Sequence, residues 1–103
     1  DKAKPLLKEI SERFPDFSGA PQALAALALC HYKENDCLNT VKYYQKLIER
    51  YPGNKLLAEA HFHLGLCFER LGNRQRATDS YEKVVENFPG TIYARQASEI
   101  LSR

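Results

Sequence analysis

Residues 51–91, YPGNKLLAEAHFHLGLCFERLGNRQRATDSYEKVVENFPGT, carry two hydrophobic stripes separated by a single break, and that order decides the fold. In the first stripe, Leu57, Ala60, Leu64, Cys67, Phe68 and Leu71 recur at the three- and four-residue steps that place one apolar face on a helix. Gly72-Asn73 interrupts the pattern. The second stripe runs over 75–87, with Ala77, Tyr81, Val84, Val85 and, just beyond, Phe88 turned inward. Pro89-Gly90 stops it, because proline cannot extend a helix and glycine accepts left-handed geometry. The break is too short for a crossover, so the two helices pack antiparallel.

Working outward, the aromatic-Pro pair that opens this stretch recurs at an equal spacing of 37 residues, as Phe14-Pro15, Tyr51-Pro52 and Phe88-Pro89. Laying 15–51 over 52–88 without gaps gives eight identities, among them Ala23/Ala60, Leu27/Leu64, Cys30/Cys67 and Tyr44/Tyr81. The same frame extends forward and back: Leu7 falls under Tyr44 and Ile10 under Leu47, while Ala97 and Leu101 fall over Ala60 and Leu64. The repeat predicts about six helices, at 2–13, 19–34, 38–50, 55–71, 75–87 and 92–102. Asn54 and Thr91 are candidate N-caps, and Ser18, or Pro21 at a first helical position, would serve the same end in the earlier unit.

The succession Leu64-Gly65, Phe68, Gly72-Asn73, Ala77, Tyr81, Val84 and Pro89 resembles the tetratricopeptide repeat. Leu27, Ala28, His31, Thr40, Tyr44, Leu47 and Pro52 fill the same places more loosely in the preceding unit, and His61 stands where that family carries Trp. The resemblance implies an all-α fold, a tetratricopeptide-type right-handed α-solenoid of antiparallel helix pairs. It also implies one domain over 1–103: a half repeat at 1–17, full repeats at 18–53 and 54–90, and a terminal helix at 91–103, expected to be a segment of a longer protein. Gly65 and Ala77 are small where paired helices would approach closely. The repeat is three residues longer than the usual ~34, and the added residues follow the proline. In this respect the chain is similar to the bacterial subfamily of cell-envelope proteins, which includes the periplasmic partner of the Tol-Pal system and the lipoprotein that scaffolds outer-membrane barrel assembly. A periplasmic or outer-membrane-associated location follows as an expectation, with the cytoplasm as the alternative.

Composition narrows the function classes. Of 103 residues, 44% are hydrophobic and 27% charged, as in ordinary globular domains, and no apolar run approaches the roughly 18 residues of a membrane span. Fifteen basic and thirteen acidic residues give a formal charge of +2 and are scattered, which argues against a nucleic-acid footprint. Three cysteines, Cys30, Cys37 and Cys67, are too few for a disulfide-stapled scaffold and form no Cys-x-x-Cys, so mostly free thiols are expected.

Chemistry-bearing residues give no catalytic constellation. His61 and His63, two apart on a helix, point to different sides, and His63 with Cys67 lacks a third ligand nearby in sequence. Cys30 and His31 are adjacent and diverge, which disfavours a nucleophile and base pair. Cys30 and Cys67 are expected to fill core as small hydrophobes, and Cys37, in a turn, is the candidate reactive thiol. The expectation is a non-catalytic protein without metal or cofactor.

Repeat stacking generates an extended concave surface, so the leading function is to hold a partner peptide or protein there. If one face of each first helix packs on its second helix, the other face lines the groove. In the first unit that face is Gln22, Ala25, Leu29, Tyr32 and Lys33. In the second it is Glu59, Phe62, Leu66, Glu69 and Arg70, continued by Gln96 and Glu99. Leu29, Tyr32, Phe62 and Leu66 would form an apolar strip with a charged rim, a common mark of an interaction site. The alternatives are packing of these side chains between repeats, a self-associating structural module, and an accessory domain of a larger enzyme.

Overall fold

The computed structural model describes residues 2–103, so Asp1 of the first half repeat lies outside it. Among the described residues there are six α-helices and no strand: α1 (Ala3–Arg13), α2 (Ala20–Lys33), α3 (Cys37–Arg50), α4 (Leu57–Arg70), α5 (Arg74–Asn87) and α6 (Ile92–Leu101). None is long and apolar enough to cross a membrane.

The 37-residue period governs the boundaries as well as the helices. Asn35 and Gly72 occupy the same repeat position and both take positive φ, 63° and 83°, closing the tight turn between paired helices. One residue later, Asp36 and Asn73 cap α3 and α5, their side-chain oxygens accepting from Asn39 N at 3.2 Å and Arg76 N at 3.1 Å. Thr91 caps α6 as its sequence suggests, accepting from Ala94 N. Asn54 behaves differently. Its side chain accepts from Leu56 N at 2.8 Å and its carbonyl from Leu57 N, which builds a turn and delays α4 to Leu57. Neither Ser18 nor Pro21 caps α2, whose N-cap is Gly19, with Pro21 in the first turn.

The core lies between layers. Leu24, Leu27, Ala28, Tyr44, Leu47, Ala60, Leu64, Tyr81 and Val84 are buried in one continuous cluster that runs through both full repeats. α2 pairs with α3 and α4 with α5, and α1 meets α2 in the way α3 meets α4 and α5 meets α6. Gly65 shows why the Leu-Gly pair matters: a Cβ there would fall 2.7 Å from Tyr81 Cδ1, so only glycine lets α5 press its tyrosine flat against α4. Ala77 is buried on the same helix as that tyrosine. Consecutive turns are also tied, since the Tyr51 hydroxyl donates to the Pro15 carbonyl at 2.7 Å.

Candidate partner-binding face

The first helices of successive units, α2, α4 and α6, lie side by side, α4 touching both of the others. They therefore form one continuous face, with α3 and α5 behind them. Rings from different helices meet along this face. Tyr32 of α2 packs on His63 of α4 with centroids 4.8 Å apart, and Tyr93 of α6 reaches Phe62 at 5.7 Å and His63 at 6.3 Å. Such contacts hold the helices in one spacing. Arg70 completes the line: its guanidinium lies 4.7 Å over the Tyr32 ring and donates to the Tyr32 hydroxyl and to Asn35 Oδ1.

Beneath the rings sits a polar chain. Tyr44 of α3 donates its hydroxyl proton to Glu59 Oε2 at 2.9 Å and lies 3.2 Å from His63 Nδ1, with the two rings stacked. Because the single hydroxyl proton is committed to Glu59, Nδ1 of His63 must be the donor, which selects the Nδ1–H tautomer of a neutral imidazole. Burial pushes the His63 titration below its ordinary value, against the opposing pull of Glu59. The Tyr44 phenol is pushed far upward by burial and then by the Glu59 charge, so it stays a neutral donor.

The twelve groove positions divide. Gln22, Lys33, Glu69, Arg70, Gln96 and Glu99 are exposed, and Leu29, Tyr32, Glu59 and Leu66 are half-buried. Ala25 and Phe62 correct the expectation, being only 6% and 7% exposed as members of the core cluster. Phe62 is covered because α6 crosses α4 and lays Tyr93 over it, with Tyr81 packed on another side. The apolar strip is thus carried by Leu29, Tyr32 and Leu66, joined by His63 and Tyr93. Those last two fall outside the predicted set. His63 continues the 59, 66, 70 stripe of its own helix and was legible there. Tyr93 aligns with Leu56, a loop position, and only the crossing of α6 brings it to this face. At the far end, a cleft of 590 Å³ lined by Glu69, Tyr81, Ile100 and Leu101 continues the surface.

The remaining polar side chains point elsewhere. His61 faces away from His63, lining a second cleft with Gln45, Glu49 and Lys83, and its titration is lowered by burial and then by Lys83. His31 stacks on Tyr43 with Nδ1 3.3 Å from Asp36 Oδ2. Among the described residues, no group of three or more His, Cys, Asp or Glu is placed to hold a metal ion. Cys67 is fully buried, and Cys30 is half-buried. Cys37 corrects its expectation: it is the first residue of α3, 6% exposed, and its thiol faces the protein interior rather than a solvated turn.

A family model described as the tetratricopeptide repeat matches residues 22–54 and 59–91. No curated protein matches the chain.

Proposed function

The chain belongs to the tetratricopeptide-repeat family, whose repeats generally mediate protein–protein interaction, and from that premise we propose that it holds a polypeptide partner against the face shared by α2, α4 and α6. One observation carries this assignment: Tyr32, His63 and Tyr93, from three successive first helices, form a continuous ring surface. The exposed charges Lys33, Glu69, Arg70 and Glu99 rim it. Rigid aromatic side chains supply contact area at little entropic cost, and a polar rim fixes the partner's register. The partner is a peptide segment or a protein surface rather than a nucleic acid, since both charge signs alternate along the rim. We place this activity in the assembly or maintenance of a bacterial envelope, in the periplasm or at the outer membrane; the support is the likeness of the lengthened repeat to that subfamily.

Site-specific photocrosslinking in cells tests the assignment. A photoreactive residue at Lys33, Glu69 or Gln96 should capture one and the same polypeptide, and one at Asp79 or Lys83, exposed on the opposite side, should not. Equal capture from both sides would refute the face. Recovery of the captured partner with cytoplasmic rather than envelope fractions would refute the location alone.

A further inference from the structure

α1 and α3 both pack on α2 and do not approach each other, so a cleft opens between them on the side where α3 and α5 lie. It measures 530 Å³. Lys4 and Lys8 of α1 form one wall, Lys42 and Tyr43 of α3 the other, and Leu27 and His31 of α2 the floor. Among the described residues no carboxylate lines it. Two of its cations are engaged from outside: Glu34 takes the Lys4 ammonium at 2.6 and 2.8 Å, and Asp36 Oδ2 lies 3.3 Å from His31 Nδ1. Lys8 and Lys42 have no such partner among the described residues, and neither has Lys46, one turn beyond Lys42. The ammonium groups of Lys42 and Lys46 both sit against the Tyr43 ring, 5.3 and 5.4 Å from its centroid. Ring attraction holds the two side chains in place, yet like charges one helical turn apart repel. An anion in the cleft would relieve that repulsion.

The fold alone does not require this charge. α3, α4 and α5 enclose the equivalent cleft one repeat later, where Gln45 stands for Lys8, Phe68 for His31, Asp79 for Lys42 and Ser80 for Tyr43. Glu49 and Asp79 there offset Arg76 and Lys83. One backbone arrangement thus carries a balanced cleft in one repeat and a cationic one in the other.

We propose that the cleft between α1 and α3 binds an acidic peptide segment in extended form, at a second docking site separate from the face of α2, α4 and α6. Lys42 and Lys46 are about 6 Å apart along their helix axis, close to the ~7 Å step between alternate side chains of an extended chain. Carboxylates two residues apart therefore meet the two ammonium groups in turn, and Lys8 faces the same peptide from the opposite wall. Lysines offer separate point charges, and no arginine lines the cleft to grip a phosphate with two parallel bonds. A nucleic acid would need an open ring for its bases, whereas Tyr43 is 5% exposed and stacked on His31. The site stands whether or not the other face binds.

Fluorescence anisotropy on the folded 103-residue chain tests it, with a fluorescein-labelled peptide of alternating Glu and Ala as probe and the same peptide with Gln for Glu as neutral control. The acidic peptide should bind and the neutral one should not, and added sodium chloride should weaken binding severalfold. Lys8→Gln and Lys42→Gln should each weaken it about threefold to fivefold, the usual range for an exposed ion pair. Lys42→Asp, which installs the residue type of the equivalent cleft, should abolish it, and Lys83→Gln in that second cleft should leave it unchanged. All three positions are exposed, and circular dichroism confirms that each variant is helical. Four results overturn the proposal: no binding of the acidic peptide, equal binding of the neutral one, a loss in Lys83→Gln equal to that in Lys42→Asp, or tighter binding of a poly(U) oligonucleotide or of inorganic pyrophosphate than of the acidic peptide.

Discussion

Gly65 lies so close to Tyr81 that a single methyl group on it would overlap the ring, falling 2.8 Å from Cζ. Tyr81 is 1% exposed and packed in the core cluster, so moving its ring would disturb that packing. Gly65→Ala should therefore cost about 1–3 kcal/mol through overpacking, despite alanine's better helix propensity. Urea unfolding measures it. In a Tyr81→Leu background the cost of the same change should shrink, because the flat ring is what the methyl group strikes; a cost of equal size in both backgrounds would show that the helix spacing itself has no tolerance.

Asp36 and Asn73 cap α3 and α5 from equivalent repeat positions. Replacing either by Ala should lower stability by about 1 kcal/mol, the usual worth of such a cap. The Asp36 carboxyl is held below its ordinary range by the bond from the Asn39 side chain, so its cap persists to lower pH than a free aspartate would allow. Thermal melts of the two variants at neutral pH check the pair, and a neutral result for both would mean that water caps these helices equally well.

Phe62 and Lys33 were expected on one surface, and the structure separates them. Phe62→Ala should cost about 3–5 kcal/mol, as for other buried aromatics. Lys33→Glu, at an exposed site, should leave stability within about 0.5 kcal/mol while weakening capture of the crosslinked partner. Denaturation curves and pull-down with that partner, run on the same two samples, read both effects.

His61 and His63 should make the fold sensitive to mild acid. Both titrate below the ordinary histidine value of 6.5, chiefly through burial, so the unfolded chain binds protons more readily than the folded one. Their contribution is complete above pH ~6.5 and is lost as pH falls through the lowered values. The melting temperature should fall between pH 7.5 and pH 5, and His63→Gln should flatten that slope. A slope unchanged in both His63→Gln and His61→Gln would assign the acid sensitivity to other groups.

The sequence by itself determined the repeat, the helix pairs and most of the core. Those features depend on local periodicity: a three- and four-residue apolar stripe buries one helix face whatever its neighbours are, and Gly72, Asn73, Thr91 and Pro89 mark ends through their own backbone preferences. Gly65 was legible as a close contact for the same reason, since a small residue in a family position predicts proximity without naming the ring it meets. Tertiary structure alone decided what lies between units. The crossing of α6 over α4 buried Phe62 under Tyr93, and the antiparallel register of α3 and α4 brought Tyr44 to His63. No spacing within one helix encodes such contacts, because they depend on the angle and offset at which two separately periodic helices pack.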